Sequence, residues 1–228
     1  MRAEFRETPR RLWAEGLLVF GAASVLIVGG SILERAGVVS AAVASTVTTG
    51  ALIYVPLLWA LFARLDLAEL GATTEGSQKA LVVLLWFSLA TLPAFFLGNH
   101  LFEVLMHGHS FHWVAPAGFL SLVATEILVV AVPEEFFFRG YLQRRFEMAS
   151  QKKWKLLGAT LGAGWLVSSV LFAASHSLVS PALWHAGIIF PGLAFGWLRA
   201  RTGSLIVPVL YHALCNVSMA VVQSCYHS

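Results

Sequence analysis

Two carboxylates stand side by side in Pro133-Glu134-Glu135-Phe136-Phe137-Phe138-Arg139-Gly140, directly after the apolar run Phe119 to Val132. An acid near the centre of a membrane helix costs about 2.5–3.5 kcal/mol on the insertion scale, so such groups are usually kept for function. On a helix, Glu135 and Arg139 are four apart with the acid first, the favourable order for an ion pair. Glu134 lies about 100° around the axis from Glu135 and is free to point elsewhere. Phe172 and His176 are also four apart, as are His212 and Asn216. A carboxylate can act as a base toward water, and a histidine can hold or shuttle a proton. A second histidine with a carboxamide can donate hydrogen bonds to a developing oxyanion. That is the minimum for hydrolysing a peptide bond inside a membrane.

These groups need membrane helices to bring them together. Of 228 residues, 58% are hydrophobic and 12% charged, and mean hydropathy is +0.76. A soluble domain carries about 25% charged residues, so composition predicts an all-α polytopic membrane bundle. The apolar runs are long and continuous rather than alternating, which argues against strands. Seven spans are expected: Trp13–Leu33, Val38–Phe62, Ala80–Gly98, Val114 to about Tyr141, Leu156–Ser177, Leu183–Leu198 and Ser204–Val222. The first is read as an uncleaved span behind Arg2, Arg6, Arg10 and Arg11, without a signal-peptide cleavage site. The whole of 1–228 reads as one transmembrane domain, with 1–112 holding three spans and an outer loop and 113–222 a catalytic four-helix core.

Charge sets the orientation. Arg64, Lys79, Arg139, Arg144, Arg145, Lys152, Lys153, Lys155, Arg199 and Arg201 fall on the same side as the N-terminal arginines, and Arg35 is the exception among 15 basic residues. The positive-inside rule then predicts N-inside, C-outside topology. Gly158-x-x-x-Gly162 and Gly192-x-x-x-Gly196 suit close helix contacts in lipid. Cys215 and Cys225 read as membrane-embedded or interfacial thiols rather than a disulfide framework. His100, His107, His109 and His112 read as a His-rich outer loop, not a metal site, and Glu126 reads as a packing acid.

Other mechanisms find less support. The only aspartate is Asp66, which excludes a two-aspartate protease, and no histidine precedes a glutamate, which excludes H-E-x-x-H. Ser168, Ser169 and Ser175 lie in no nucleophile motif. Three alternatives stay open: a non-proteolytic immunity or scaffold protein binding a peptide in the same cleft, a proton-coupled transporter, and a zinc hydrolase using Glu134, His176 and His212.

Glu134-Glu135-Phe-Phe-Phe-Arg139, Phe172-x-x-x-His176 and His212-x-x-x-Asn216 resemble the three motifs of the CAAX-protease and bacteriocin-processing family, whose members are glutamic-type intramembrane endopeptidases. Arg201-Thr-Gly-Ser-Leu with Pro208 resembles the lead into its last motif, and the likeness covers about residues 115–220. The resemblance implies a cofactor-free, metal-independent mechanism in which Glu134 activates water, His176 assists, and His212 and Asn216 stabilise the oxyanion. Glu135 and Arg139 would pair and orient the site, beside Phe172. The expected partners are the lipid bilayer and a protein or peptide substrate, at a C-terminal or membrane-anchor segment, with no nucleic acid. The chain is similar to the bacterial branch, within it to the myxosortase-type enzymes, which implies a bacterial inner membrane.

Sequence leaves one strain. Glu134 falls toward the inner end of its span and His176 toward the outer end of the next, a mismatch on the order of half the hydrocarbon thickness.

Overall fold

The computed structural model describes residues 8–63 and 77–227. Arg2, Arg6, Arg64 and Asp66 lie outside them. Among the described residues the protein is an all-α bundle of apolar helices. Thr8 caps helix α1 (Pro9–Arg35), with its hydroxyl accepting from Arg11 N and Pro9 in the first turn, where a missing N–H costs nothing. Ser40 caps α2 (Ala41–Phe62) in the same way. Helix α3 (Ser77–Phe102) runs on as a π-helical turn, Glu103–His107. Helices α1, α2, α3 and α7 (Ile206–Cys225) are long and apolar enough to cross a membrane. Their outward positions, among them Val25, Tyr54, Leu58, Trp86 and Leu105, are exposed apolar side chains, the surface that hydrocarbon would cover.

Helix α4 spans residues 119–149 and changes winding four times. Glu126–Ala131 and Phe136–Leu142 are π-helical, separated by the α-turn Val132–Glu135. Such π segments are rare and cluster at functional sites. Here they bracket the paired glutamates.

The expected fifth span begins differently. Residues Lys153–Leu156 and Ala159–Gly162 form an antiparallel hairpin. Its two-residue turn, Leu157 and Gly158, has φ of 47° and 79°, the primed geometry that fits strand twist. Helix α5 therefore starts at Ala163, not Leu156, and ends at Val179. The apolar Leu156-Leu157 pair mimics the start of a span, while Gly158 after it allows the turn. The delay lowers α5 by about 10 Å at 1.5 Å per residue, which removes the depth mismatch: the Phe172 ring lies 4.3 Å from the Arg139 guanidinium. A second small pairing, Ser110–Phe111 with Tyr226–His227, closes the other end.

A 3₁₀ turn, Leu183–Ile188, leads into α6 (Ile189–Thr202). The core is aromatic, with Phe137, Phe138, Tyr141, Phe146, Phe172, Phe195 and Tyr211 buried. Of the two small-residue motifs, the first belongs to the hairpin and is not a helix contact. The second is: a Cβ at Gly196 would lie 2.7 Å from both Gln143 Oε1 and Trp165 Cδ1. Cys215 and Cys225 are free. Gly196→Val should therefore force α6 off α4 and α5. Overpacking of this kind costs about 1–3 kcal/mol, to be read as a lower melting temperature in detergent; an unchanged melt would contradict the close contact.

Candidate active site

Glu135 is the hub. Its side chain and that of Arg139 are both fully buried. Arg139 Nη1 donates to Glu135 Oε1 at 3.1 Å, and Nη2 donates to the Gly192 carbonyl at 3.0 Å. His212 Nδ1 reaches the same Glu135 oxygen at 2.9 Å. A carboxylate only accepts, so Nδ1 carries the proton and His212 presents Nε2 on its other side. That Nε2 lies 3.9 Å from Glu134 Oε2, too long for a direct hydrogen bond and within the reach of a bridging water.

Aromatic rings fix these groups. Phe195 stacks on His212 with centroids 4.6 Å apart, and the Arg139 guanidinium lies over the rings of Phe172 and Phe195 at 4.3 and 5.1 Å. A desolvated cation over a ring face is worth about 2 kcal/mol. Small residues at Gly192 and Gly196 let α6 come close enough for its carbonyls to accept from Arg139 and from Gln143 Nε2.

The other predicted residues join this hub by separate routes. His176 Nδ1 donates to Phe172 O at 2.9 Å, which leaves Nε2 unengaged by that tether. Its ring packs edge-on against Phe172 at 4.8 Å, and Phe172 in turn packs edge-on against His212 at 5.9 Å. Asn216 Nδ2 donates to Glu126 Oε2 at 2.8 Å. Glu126 thus holds the carboxamide, a role that its reading as a packing acid did not anticipate; its signal was an acid in an apolar run, eight residues before Glu134. Phe195 gave no sequence signal. Ser168 and Ser169 are buried and donate to Trp165 O, occupied as helix back-bonds.

A cavity of about 580 Å³ opens among α3, α5, α6 and α7. His176, His212 and Asn216 line one wall, and Phe95, Phe190 and Met219 make much of the rest apolar. Glu134 does not line this cleft; it approaches it behind His212. Glu134 Oε2 is buried and accepts no hydrogen bond among the described residues. At the far end of the protein, Glu103 pairs with His109 at 2.9 Å, and no group of three metal-ligating side chains occurs among the described residues.

Residues 116–218 match the family described as type II CAAX prenyl endopeptidase Rce1-like. That segment holds every motif residue discussed above and carries the likeness to the CAAX-protease family. Over 88 residues the chain is also 34% identical to an uncharacterized 24.3 kDa protein of Escherichia coli. The aligned part is 39% of this chain and spans only 37% of that relative. No solved structure matches.

The geometry separates the two glutamates by consequence. Glu135→Ala would strand a buried Arg139 and cost about 3–5 kcal/mol, read as loss of folded yield and a lower melting temperature. Glu134→Gln, whose Oε2 accepts no hydrogen bond, should melt within about 0.5 kcal/mol of the parent protein. Equal melting of the two variants would refute the hub.

Proposed function

We propose that this integral membrane protein is a glutamic-type intramembrane endopeptidase of the bacterial inner membrane. Its substrate is a protein or peptide, cut near a C-terminal or membrane-anchor segment that lodges in the apolar cleft. The observation that carries the reading is the unequal state of the two glutamates on one histidine: Glu135 Oε1 already accepts from Arg139 and His212, whereas Glu134 Oε2 accepts from neither. Glu135 Oε2 also accepts no hydrogen bond among the described residues, but that side chain is fully buried and tied through its other oxygen, so Glu134, which keeps 17% exposure, is the one placed to take a proton from water.

In the proposed reaction a water between Glu134 Oε2 and His212 Nε2 attacks the substrate carbonyl carbon while its proton passes to Glu134. His176, with Nε2 directed away from its Phe172 tether, assists that transfer. The developing oxyanion accepts from His212 and from the Asn216 N–H that Glu126 does not occupy. For His212 this requires both ring nitrogens to be protonated, and the carboxylates on either side balance that charge. The tetrahedral intermediate then breaks its C–N bond, and Glu134 returns the proton to the leaving amine. The products are a carboxylic acid, which keeps the second proton of the water until it ionises, and an amine. The bilayer keeps bulk water out, so these few dipoles act in a medium where they are strong.

The reading is metal-independent. It also places the N-terminus inside, with seven helices of unequal length crossing or entering the bilayer.

Glu134→Gln and His176→Ala should each lower cleavage by about 10²–10⁴-fold, the range for removing a general base or acid. Comparative proteomics of membranes carrying the parent protein or Glu134→Gln would show this as a discrete set of proteins with altered C-terminal or anchor-proximal peptides. No altered termini, with the variant still complementing loss of the gene, would favour a peptide-binding scaffold instead. Cleavage should also survive treatment with strong zinc chelators; loss of activity restored by added zinc would overturn the metal-independent route.

A further inference from the structure

A second cavity, of about 280 Å³, lies between α1, α2 and the 129–134 stretch of α4. It shares no lining residue with the apolar cleft. Its chemistry is different too. Ser31 and Glu34 come from α1, Ser45, Thr48 and Thr49 from α2, and Glu134 from α4. Glu34 and Ser45 are exposed and Thr48 is half-buried, while the Glu134 side chain keeps only 17% exposure. The lining therefore runs from an open mouth near the α1–α2 turn to an enclosed carboxylate.

The hydroxyls along this path are set to receive water. Thr48 donates to Ala44 O and Thr49 to Val129 O, each at 3.1 Å. Their single protons are used, so the oxygen lone pairs remain as acceptors for water. Val129 belongs to the first π segment of α4. At about 30 Å³ per molecule the cavity has room for roughly nine waters, with the hydroxyls and Glu134 as polar partners and Ile27, Leu52, Val129 and Val130 among the apolar remainder of the wall.

Arg35 keeps the mouth in shape. Its Nη2 donates to Ser31 Oγ at 3.0 Å and to the Val179 carbonyl at 2.8 Å. Ser31 and Val179 both line the cavity, and Val179 O is one of the orphan carbonyls at the end of α5 that a cation satisfies well. The one basic residue that the charge rule set apart thus ties α1 to α5 beside the opening.

We propose that this cavity is an aqueous vestibule that supplies Glu134 with water from the α1–α2 end of the bundle, separately from the cleft that takes the peptide. Hydrolysis consumes one water per bond, and an apolar cleft filled by substrate gives water no way in. The vestibule rests on the hydrolase reading for its purpose, but its hydration stands or falls without it.

The test uses the full chain in liposomes with Cys215→Ser and Cys225→Ser, carrying Ser45→Cys, Thr48→Cys or Leu58→Cys, and a small charged methanethiosulfonate as the probe. Leu58 is 63% exposed on the outward face of α2 and stands for lipid-facing positions. Ser45→Cys and Thr48→Cys should react at least about a hundredfold faster than Leu58→Cys, because only a hydrated thiol ionises. Rates as slow as Leu58→Cys would overturn the vestibule even if cleavage is sound. With both native cysteines retained, Ser45→Leu should lower kcat about tenfold and leave KM unchanged, the signature of a lost reactant rather than lost binding. Fast labelling in a protein that cleaves nothing would instead retain the hydrated cavity and refute the hydrolase.

Discussion

One buried carboxylate holds the site together. Glu135 has left water entirely, which is tolerable only because a guanidinium and an imidazole both point at it. Those two partners sit on different helices, and the guanidinium's second nitrogen reaches a third through Gly192. The position of His212 is therefore set by an interaction that cannot be loosened without exposing an unpaired charge to hydrocarbon. Phe172 and Phe195 close over the same group and keep it dry. Rigidity of this kind is what a hydrolytic site needs, since the donors must already point at the charge that develops.

Helix α4 presents three acids to three different neighbours: one residue's rotation of about 100° separates Glu134 from Glu135, and a π segment lies between Glu126 and the pair. Glu126 faces Asn216 on α7, Glu135 faces inward to Arg139 and His212, and Glu134 lies beside α1 and α2. A regular helix repeats every 3.6 residues and distributes side chains on a fixed wheel. The two π segments shift that wheel on both sides of the Val132–Glu135 turn.

The motif spacings, the family and the helical fold were legible in the sequence because four-residue periodicity and apolar run length are local properties. The Glu135–Arg139 pair followed from its i, i+4 order, and π winding did not disturb it. What sequence could not give were contacts across helices. Asn216 needed Glu126, ninety residues away; His212 needed Phe195; neither pairing leaves a periodic trace. The start of α5 was misread for a different reason. Leu156-Leu157 and the small and apolar residues after them have the composition of a membrane span, and only the conformation of the Leu157-Gly158 turn reveals a hairpin.

That hairpin leaves α5 with 17 residues and α6 with 14. At 1.5 Å per residue they measure about 26 and 21 Å, against about 30 Å of acyl chain in an average bilayer. Lipid next to this pair must thin or the helices must sink, each at a modest elastic cost per ångström. These two short helices form part of the wall of the cleft, with α3 and α7 making the rest. The depth of hydrocarbon that fits beside the cleft is thereby set by where one turn begins rather than by any side chain in the cleft.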